Sequence, residues 1–209
     1  MNEKNILVTG FEPFGGETVN PAWEAVKDLQ DYIGSMPVCK VLLPTEFGRA
    51  EEALDEAIEK FDPVIAVCVG QAGGSDRIRL ERLAVNLRDA SGPDNAGRIP
   101  KDEPVVPGGP DGLFSTLPLR AVHEALRHSG IPAVLSLSAG TFVCNSVMYH
   151  LMYRLRRDGD KAIGGFVHVP FLPAQAAFHA GAPSMSRDLV TKALGIILEA
   201  AADSIKARP

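Results

Sequence analysis

The spacing of apolar residues changes repeatedly along the chain between short continuous runs and helical intervals of three and four. Asn5–Thr9 is a short apolar run ending at Gly10 and predicts a strand. Asn20-Pro21 supplies a capping residue followed by a first-turn proline, so a helix is predicted from there to about Leu29. Val38–Leu43 reads as a second strand. Phe47, Ala50, Leu54, Ile58 and Phe61 recur at helical intervals and give an amphipathic helix. Val64–Val69 is apolar throughout, as expected of a strand covered on both faces. Ile78, Leu80, Leu83, Val85 and Leu87 suggest further strand, with one slip in the alternation between Leu80 and Leu83. The Gly-, Pro- and Asp-rich stretch Ala90–Thr116 predicts a long loop, and such loops are usually functional. A helix over Leu117–His128 closes at Gly130, and Ile131–Leu137 reads as a buried strand. A helix starting near Val143 carries Met148, Leu151, Met152 and Leu155. Ile163–Val169 is the last strand, and Ser186 can cap a final helix to about Ile205.

Strands alternating with helices predict a three-layer α/β/α sandwich with a largely parallel, mixed central sheet. No repeat, low-complexity tract or linker divides the chain, so residues 1–209 are expected to form one domain. Composition fits this reading: 45% of residues are hydrophobic and 22% charged, which is ordinary for a globular protein. A net charge of −5 leaves no basic footprint for nucleic acid. No apolar run approaches the roughly 18 residues of a membrane span. Three widely spaced cysteines without a CxxC pair form neither a disulfide framework nor a zinc site. With no signal-peptide core behind the polar first residues, a cytoplasmic protein is expected.

Two glycine-bearing turns invite a nucleotide hypothesis. Gly10-Phe-Glu-Pro-Phe-Gly15 has the outer spacing of a phosphate-binding loop, but Gly16-Glu17 stands where Lys and Ser/Thr are required. Gly70-Gln-Ala-Gly-Gly74 lacks the dinucleotide order as well. These glycines read better as sharp turns at strand ends. Phe11 and Phe14, in the first turn, are either ordinary core or the walls of a small pocket. The histidines (His123, His128, His150, His168 and His179) show no HExxH and no helical ligand pair, so no metal is expected. His123, His128 and His150 fall on predicted helices, where a solvated or satisfied imidazole is the default.

Cys39 and Cys68 sit inside apolar strands as small hydrophobes. Cys144 differs. It follows the small-residue turn Ser138-Ala-Gly-Thr141 at a predicted helix start, where free N–H groups favour a thiolate and offer an oxyanion site. A buried structural cysteine is the alternative. His168 ends a buried strand one crossover later, and parallel neighbours joined by a helix would bring the two together. A carboxylate should orient that imidazole. Glu81 is one candidate among 26 acids, and a surface pairing with Arg82 competes with that role.

Several ordered blocks together resemble the pyroglutamyl peptidase type I family of cysteine peptidases over essentially the whole length. They are Thr9-Gly-Phe-Glu-Pro-Phe-Gly-Gly16 with Asn20-Pro21, Gly70-Gln-Ala-Gly-Gly74, and Glu81-Arg-Leu-Ala-Val-Asn86. Pro93-Asp-Asn95, Ser138-Ala-Gly-Thr-Phe-Val-Cys-Asn145 and Gly165-Phe-Val-His-Val-Pro170 continue the match. The resemblance implies a catalytic trio of Glu81, Cys144 and His168 and selects Glu81 over the other acids. It implies a hydrolase that removes N-terminal pyroglutamate from peptides through an acyl-enzyme, with no cofactor or metal, working as a homo-oligomer, often a tetramer. The lactam is uncharged and nearly flat, so its pocket needs apolar walls and a few polar contacts. By resemblance Phe11, Phe14 and Phe142 supply the walls, and Gln71 or its backbone the polar contacts. One departure stands out. Many bacterial and archaeal members read Ala-Arg-Ile-Pro-Asp-Asn where this chain has Ala90-Ser91-Gly92-Pro93-Asp94-Asn95, which implies an active enzyme with a looser pocket. Two other readings stay open: a nucleoside phosphorylase-like enzyme, for which no phosphate-binding arginine set is evident, and a catalytically silent peptide-binding relative.

Overall fold

The computed structural model describes residues 4–206. Seven strands form the central sheet: β1 (Asn5–Phe11), β2 (Tyr32–Ile33), β3 (Met36–Leu43), β4 (Pro63–Gln71), β5 (Ile78–Glu81), β8 (Ala133–Ser136) and β9 (Ile163–Val169). Their spatial order is β2-β3-β1-β4-β9-β5-β8. The four strands β3, β1, β4 and β9 run parallel, while β5 and β8, parallel to each other, oppose β9. A separate ribbon pairs β6 (Leu83–Val85) with β7 (Gly112–Phe114).

Helices cover both faces, which is why the inner strands read as unbroken apolar runs. Ile65, Val67 and Val69 of β4 point into one core with α1 (Pro21–Lys27), α3 (Leu119–His128) and α6 (Arg187–Lys206). Ala66 and Cys68 point into the other, beneath α2 (Arg49–Phe61) and α4 (Val143–Arg157). The result is the expected α/β sandwich with a mixed sheet. Asn20 caps α1 as anticipated, its Oδ1 accepting from Ala22 N at 3.1 Å with Pro21 at the first helical position.

Differences from the sequence reading have local causes. The slip between Leu80 and Leu83 marks the point where the chain leaves the sheet: β5 ends at Glu81, and the chain then turns into the ribbon. The expected loop 90–116 contains β7, whose three residues carry no readable alternation. The two-residue β2 and the one-turn helix α5 (Pro173–Ala176) are likewise too short to leave a period. Cys68 is buried, but Cys39 on β3 is only half-buried.

Candidate active site

Cys144 is the second residue of α4, whose N-cap, Phe142, contributes no side-chain hydrogen bond. No side chain therefore caps the first-turn N–H groups of α4. Gly70 lies directly below: a Cβ there would come within 2.8 Å of Cys144 Sγ and 2.8 Å of Phe166 Cζ. Gly70 is also the β4 residue in register with His168 on β9, so thiol and imidazole share one corner of the sheet. The expected route to this arrangement is corrected. β8 and β9 are not parallel neighbours, because β5 lies between them and β8 opposes β9. The turn 137–142 instead carries the chain back so that α4 starts where β9 ends.

Glu81 reaches the same corner from β5. Arg79 pairs with His168 and Glu81 with Phe166 in the antiparallel register, so residues 79, 81, 166 and 168 share a face. His168 Nδ1 and Glu81 Oε1 are 3.0 Å apart, the imidazole N–H donating to the carboxylate. Glu81 is 0% exposed, so the surface pairing with Arg82 does not occur. Its arginine partner is Arg79, whose Nε lies 3.2 Å from the same Oε1. Arg82 lines a separate cleft with Phe114 and Leu117. Burial pushes the Glu81 carboxyl up, but the hydrogen bond and charge of His168, helped by Ser136 and Arg79, outweigh it and hold the group below its ordinary range.

The thiol behaves otherwise. Desolvation, reinforced by the negative charge of Glu81 and by Cys68, pushes Cys144 up to about 12. Its hydrogen bond with backbone lowers it only slightly. Desolvation therefore opposes the thiolate that the helix start favours, which gives a neighbouring base a role in taking the thiol proton.

A cavity of ≈ 730 Å³ opens beside the thiol's helix, lined by Phe14, Gly15 and Gly16 of the turn after β1, by residues 89–95, and by Thr141 and Phe142. Gly15 and Gly16 adopt φ of 64° and 84°, which a side chain would strain. The Phe14 and Phe142 rings lie 5.9 Å apart, and Phe47 meets Phe142 edge-on at 5.2 Å. The loop is pinned rather than loose. Asp94 accepts from Phe47 N at 2.9 Å and Arg98 N at 2.8 Å, and Asn95 Nδ2 donates to Pro13 O at 3.0 Å. Phe11, at 1% exposure, packs against Phe166 beneath the site and is not among the lining residues. Gln71 ends β4, and its Oε1 accepts from Gln175 Nε2 at 3.1 Å, which leaves its backbone and NH2 group for other partners. His179, on which the sequence was silent, stacks on Phe171 and pairs with Glu17 at 2.6 Å.

Supports that sequence reasoning missed surround the trio. Asn145 accepts from Val85 N at 3.0 Å and donates to Val85 O and Leu87 O, tying the start of α4 to the strand beyond Glu81. Arg88 donates to Ser146 Oγ at 2.8 Å and to Glu51 Oε1 at 2.7 Å. Among the described residues no group of His, Cys, Asp and Glu could hold a metal ion, and no helix is long and apolar enough to cross a membrane.

An α/β sandwich that gathers a thiol, an imidazole and a buried carboxylate at its strand ends has the parts of a cysteine hydrolase. The comparisons with known proteins are specific. A pyroglutamyl peptidase family profile matches residues 4–204. The pyrrolidone-carboxylate peptidase of Escherichia fergusonii is 51% identical over 192 residues, covering 91% of this chain and 89% of that protein. The protein of that name from Yersinia pestis is 46% identical over 199 residues, covering 95% and 93%. The crystal structure of Bacillus amyloliquefaciens pyroglutamyl peptidase I superposes with a TM-score of 0.93 at 46% identity, covering 96% of this chain and 98% of that one. A mutant pyrrolidone carboxyl peptidase from Pyrococcus furiosus gives 0.92 at 43% identity, covering 96% and 99%. The chain belongs to the pyroglutamyl peptidase family.

Proposed function

We propose that this protein is a pyroglutamyl peptidase I, hydrolysing the amide bond that follows an N-terminal pyroglutamyl residue. The observation that carries the mechanism is the 3.0 Å contact between His168 and Glu81 beside the helix start that bears Cys144. With Nδ1 given to Glu81, His168 Nε2 takes the thiol proton as Sγ attacks the scissile carbonyl. Open N–H groups of the first turn of α4 receive the negative charge that develops on the carbonyl oxygen. The imidazolium, steadied by Glu81, passes its proton to the leaving amine, and a thioester remains. Water, deprotonated by His168, then releases pyroglutamate. Phe14 and Phe142 flank the lactam ring, with Phe11 supporting from below and Gln71 offering polar contacts. The relatives above are named as peptidases, which favours this reading over a phosphorylase or a silent binder.

Three free thiols suit a reducing cytoplasm, and we assign the protein there. By family we expect a homo-oligomer, a tetramer, whose mass sedimentation would read directly. A fluorogenic pyroglutamyl amide tests the activity. Cys144→Ala should be folded and lose on the order of 10⁴-fold or more in kcat, and iodoacetamide should inactivate the wild type. A prolyl amide, with a charged amine and no ring carbonyl, should be cleaved at least about tenfold more slowly, since each unmet polar group costs roughly 1–3 kcal/mol. An active Cys144→Ala protein, or a prolyl amide cleaved equally fast, would refute the proposal.

A further inference from the structure

Arg79 sits directly across the β5–β9 ladder from His168 and belongs to none of the roles above. Its guanidinium spans three elements. Nε meets Glu81 Oε1 at 3.2 Å, while Nη2 donates to Ser136 Oγ of β8 at 2.8 Å and to Ser138 O at 3.2 Å. Ser138 opens the turn that leads to Cys144. Glu81 Oε1 thus receives two donors, His168 Nδ1 and Arg79 Nε, while Oε2 has no hydrogen-bond partner. The Arg79 side chain is 36% exposed and Glu81 is 0% exposed, so the guanidinium forms the outer layer over the carboxylate. Among the described residues, the charged or titratable groups acting on Glu81 and Cys144 are His168 from β9, Arg79 from β5 and Cys68 from β4, besides each other. The opposite face of β9, at Val167 and Val169, is apolar core.

We infer that Arg79 is a positioning residue that competes with His168 for Glu81, so that the imidazolium is held firmly enough to form but loosely enough to give its proton to the leaving amine. This rests on the peptidase reading above. A carboxylate with an imidazolium as its sole cationic partner stabilises that cation strongly, and a strongly stabilised acid transfers its proton poorly. A guanidinium on the same oxygen spreads the negative charge and repels the imidazolium. Partial exposure screens the effect, so about half to one pH unit is expected rather than the larger shifts of fully buried pairs. The hold on Ser138 adds a second function, fixing the turn from which the nucleophile's helix departs.

The test is the pH profile of kcat/KM on a pyroglutamyl amide for wild type, Arg79→Gln and Arg79→Lys, with circular dichroism confirming folding. Arg79→Gln should move the acid limb upward by about half to one pH unit and lower kcat severalfold, with KM little changed. Arg79→Lys keeps the charge and should leave the limb near its wild-type position. In a Glu81→Gln background the Arg79→Gln limb shift should shrink to what direct repulsion alone leaves, since the shared carboxylate is gone. An unmoved or downward limb in Arg79→Gln, or a loss equal at every pH, overturns the inference. Imidazole proton signals of His168 followed by NMR give the same answer without turnover: Arg79→Gln should raise the pH at which they titrate. A wild-type protein that cleaves no pyroglutamyl amide would sink the peptidase reading, whereas an active wild type with an unmoved limb would sink only the role of Arg79.

Discussion

The proposed reacting groups and the cavity proposed for the substrate are built in opposite ways. His168 and Glu81 stand on adjacent strands inside the sheet, and Cys144 on the first turn of a fifteen-residue helix, so each is fixed by regular hydrogen bonding. The cavity walls come from the turn after β1, residues 89–95 and the approach to α4, held by side-chain-to-backbone bonds such as those of Asp94. On the proposed reading, chemistry that tolerates little misplacement falls to the scaffold, and selection of the ring to segments that can vary without disturbing it.

That contrast can be broken most sharply at Gly70. Gly70→Ala places a Cβ within 2.8 Å of both Cys144 Sγ and the buried ring of Phe166, so the thiol must rotate and the ring must shift. We expect kcat to fall about 10²-fold, since small misplacements of reacting groups cost that much, with the thermal midpoint lowered as well by the displaced ring. Unchanged kcat would show that the corner yields as readily as a loop. Glu81→Gln probes the same corner through pH. The carboxyl is held below its ordinary range in the folded state, so its contribution to stability is complete above the unfolded value and fades as pH falls through the folded one. The variant should be about 1–3 kcal/mol less stable near neutrality, and this difference should shrink in acid-unfolding curves below about pH 4. Its kcat should fall less than that of His168→Ala, which loses about 10²–10⁴. A stability gap constant across pH would remove the carboxylate from this role. The smallest effect is expected in the cavity wall. A Cβ on Gly92 meets nothing within 4 Å and Ser91 is exposed, so the double change Ser91→Arg with Gly92→Ile starts from open space. It should improve kcat/KM a few-fold, mainly through KM. A loss would mean that the wall is as tightly specified as the trio.

Much of the scaffold was legible because covered strands leave unbroken apolar runs and helices leave a three-to-four spacing, as in Val64–Val69 and Phe47–Phe61. Strand direction leaves no such trace. Nothing in Ile78–Glu81 says that β5 opposes β9, so the route bringing Cys144 to His168 was misjudged even though the two do share a corner. Arg79 was overlooked although a two-residue period sets it on the face of Glu81, because Arg82, adjacent in the chain, drew the pairing instead. Phe11 and Phe14 are three residues apart, yet one ends a buried strand and the other lines the cavity; the boundary between strand and turn decides that difference.

The position of β9 has a consequence in time. It lies between β4 and β5, two strands made nearly a hundred residues earlier, so Glu81 and His168 meet across a separation of 87. Contacts that distant close late, because the intervening chain must first be gathered. In the growing polypeptide Glu81 and Cys144 are both made before His168. Until β9 has been inserted between β4 and β5 the thiol has no proton acceptor beside it, and the hydrolase switches on only as the sheet is completed.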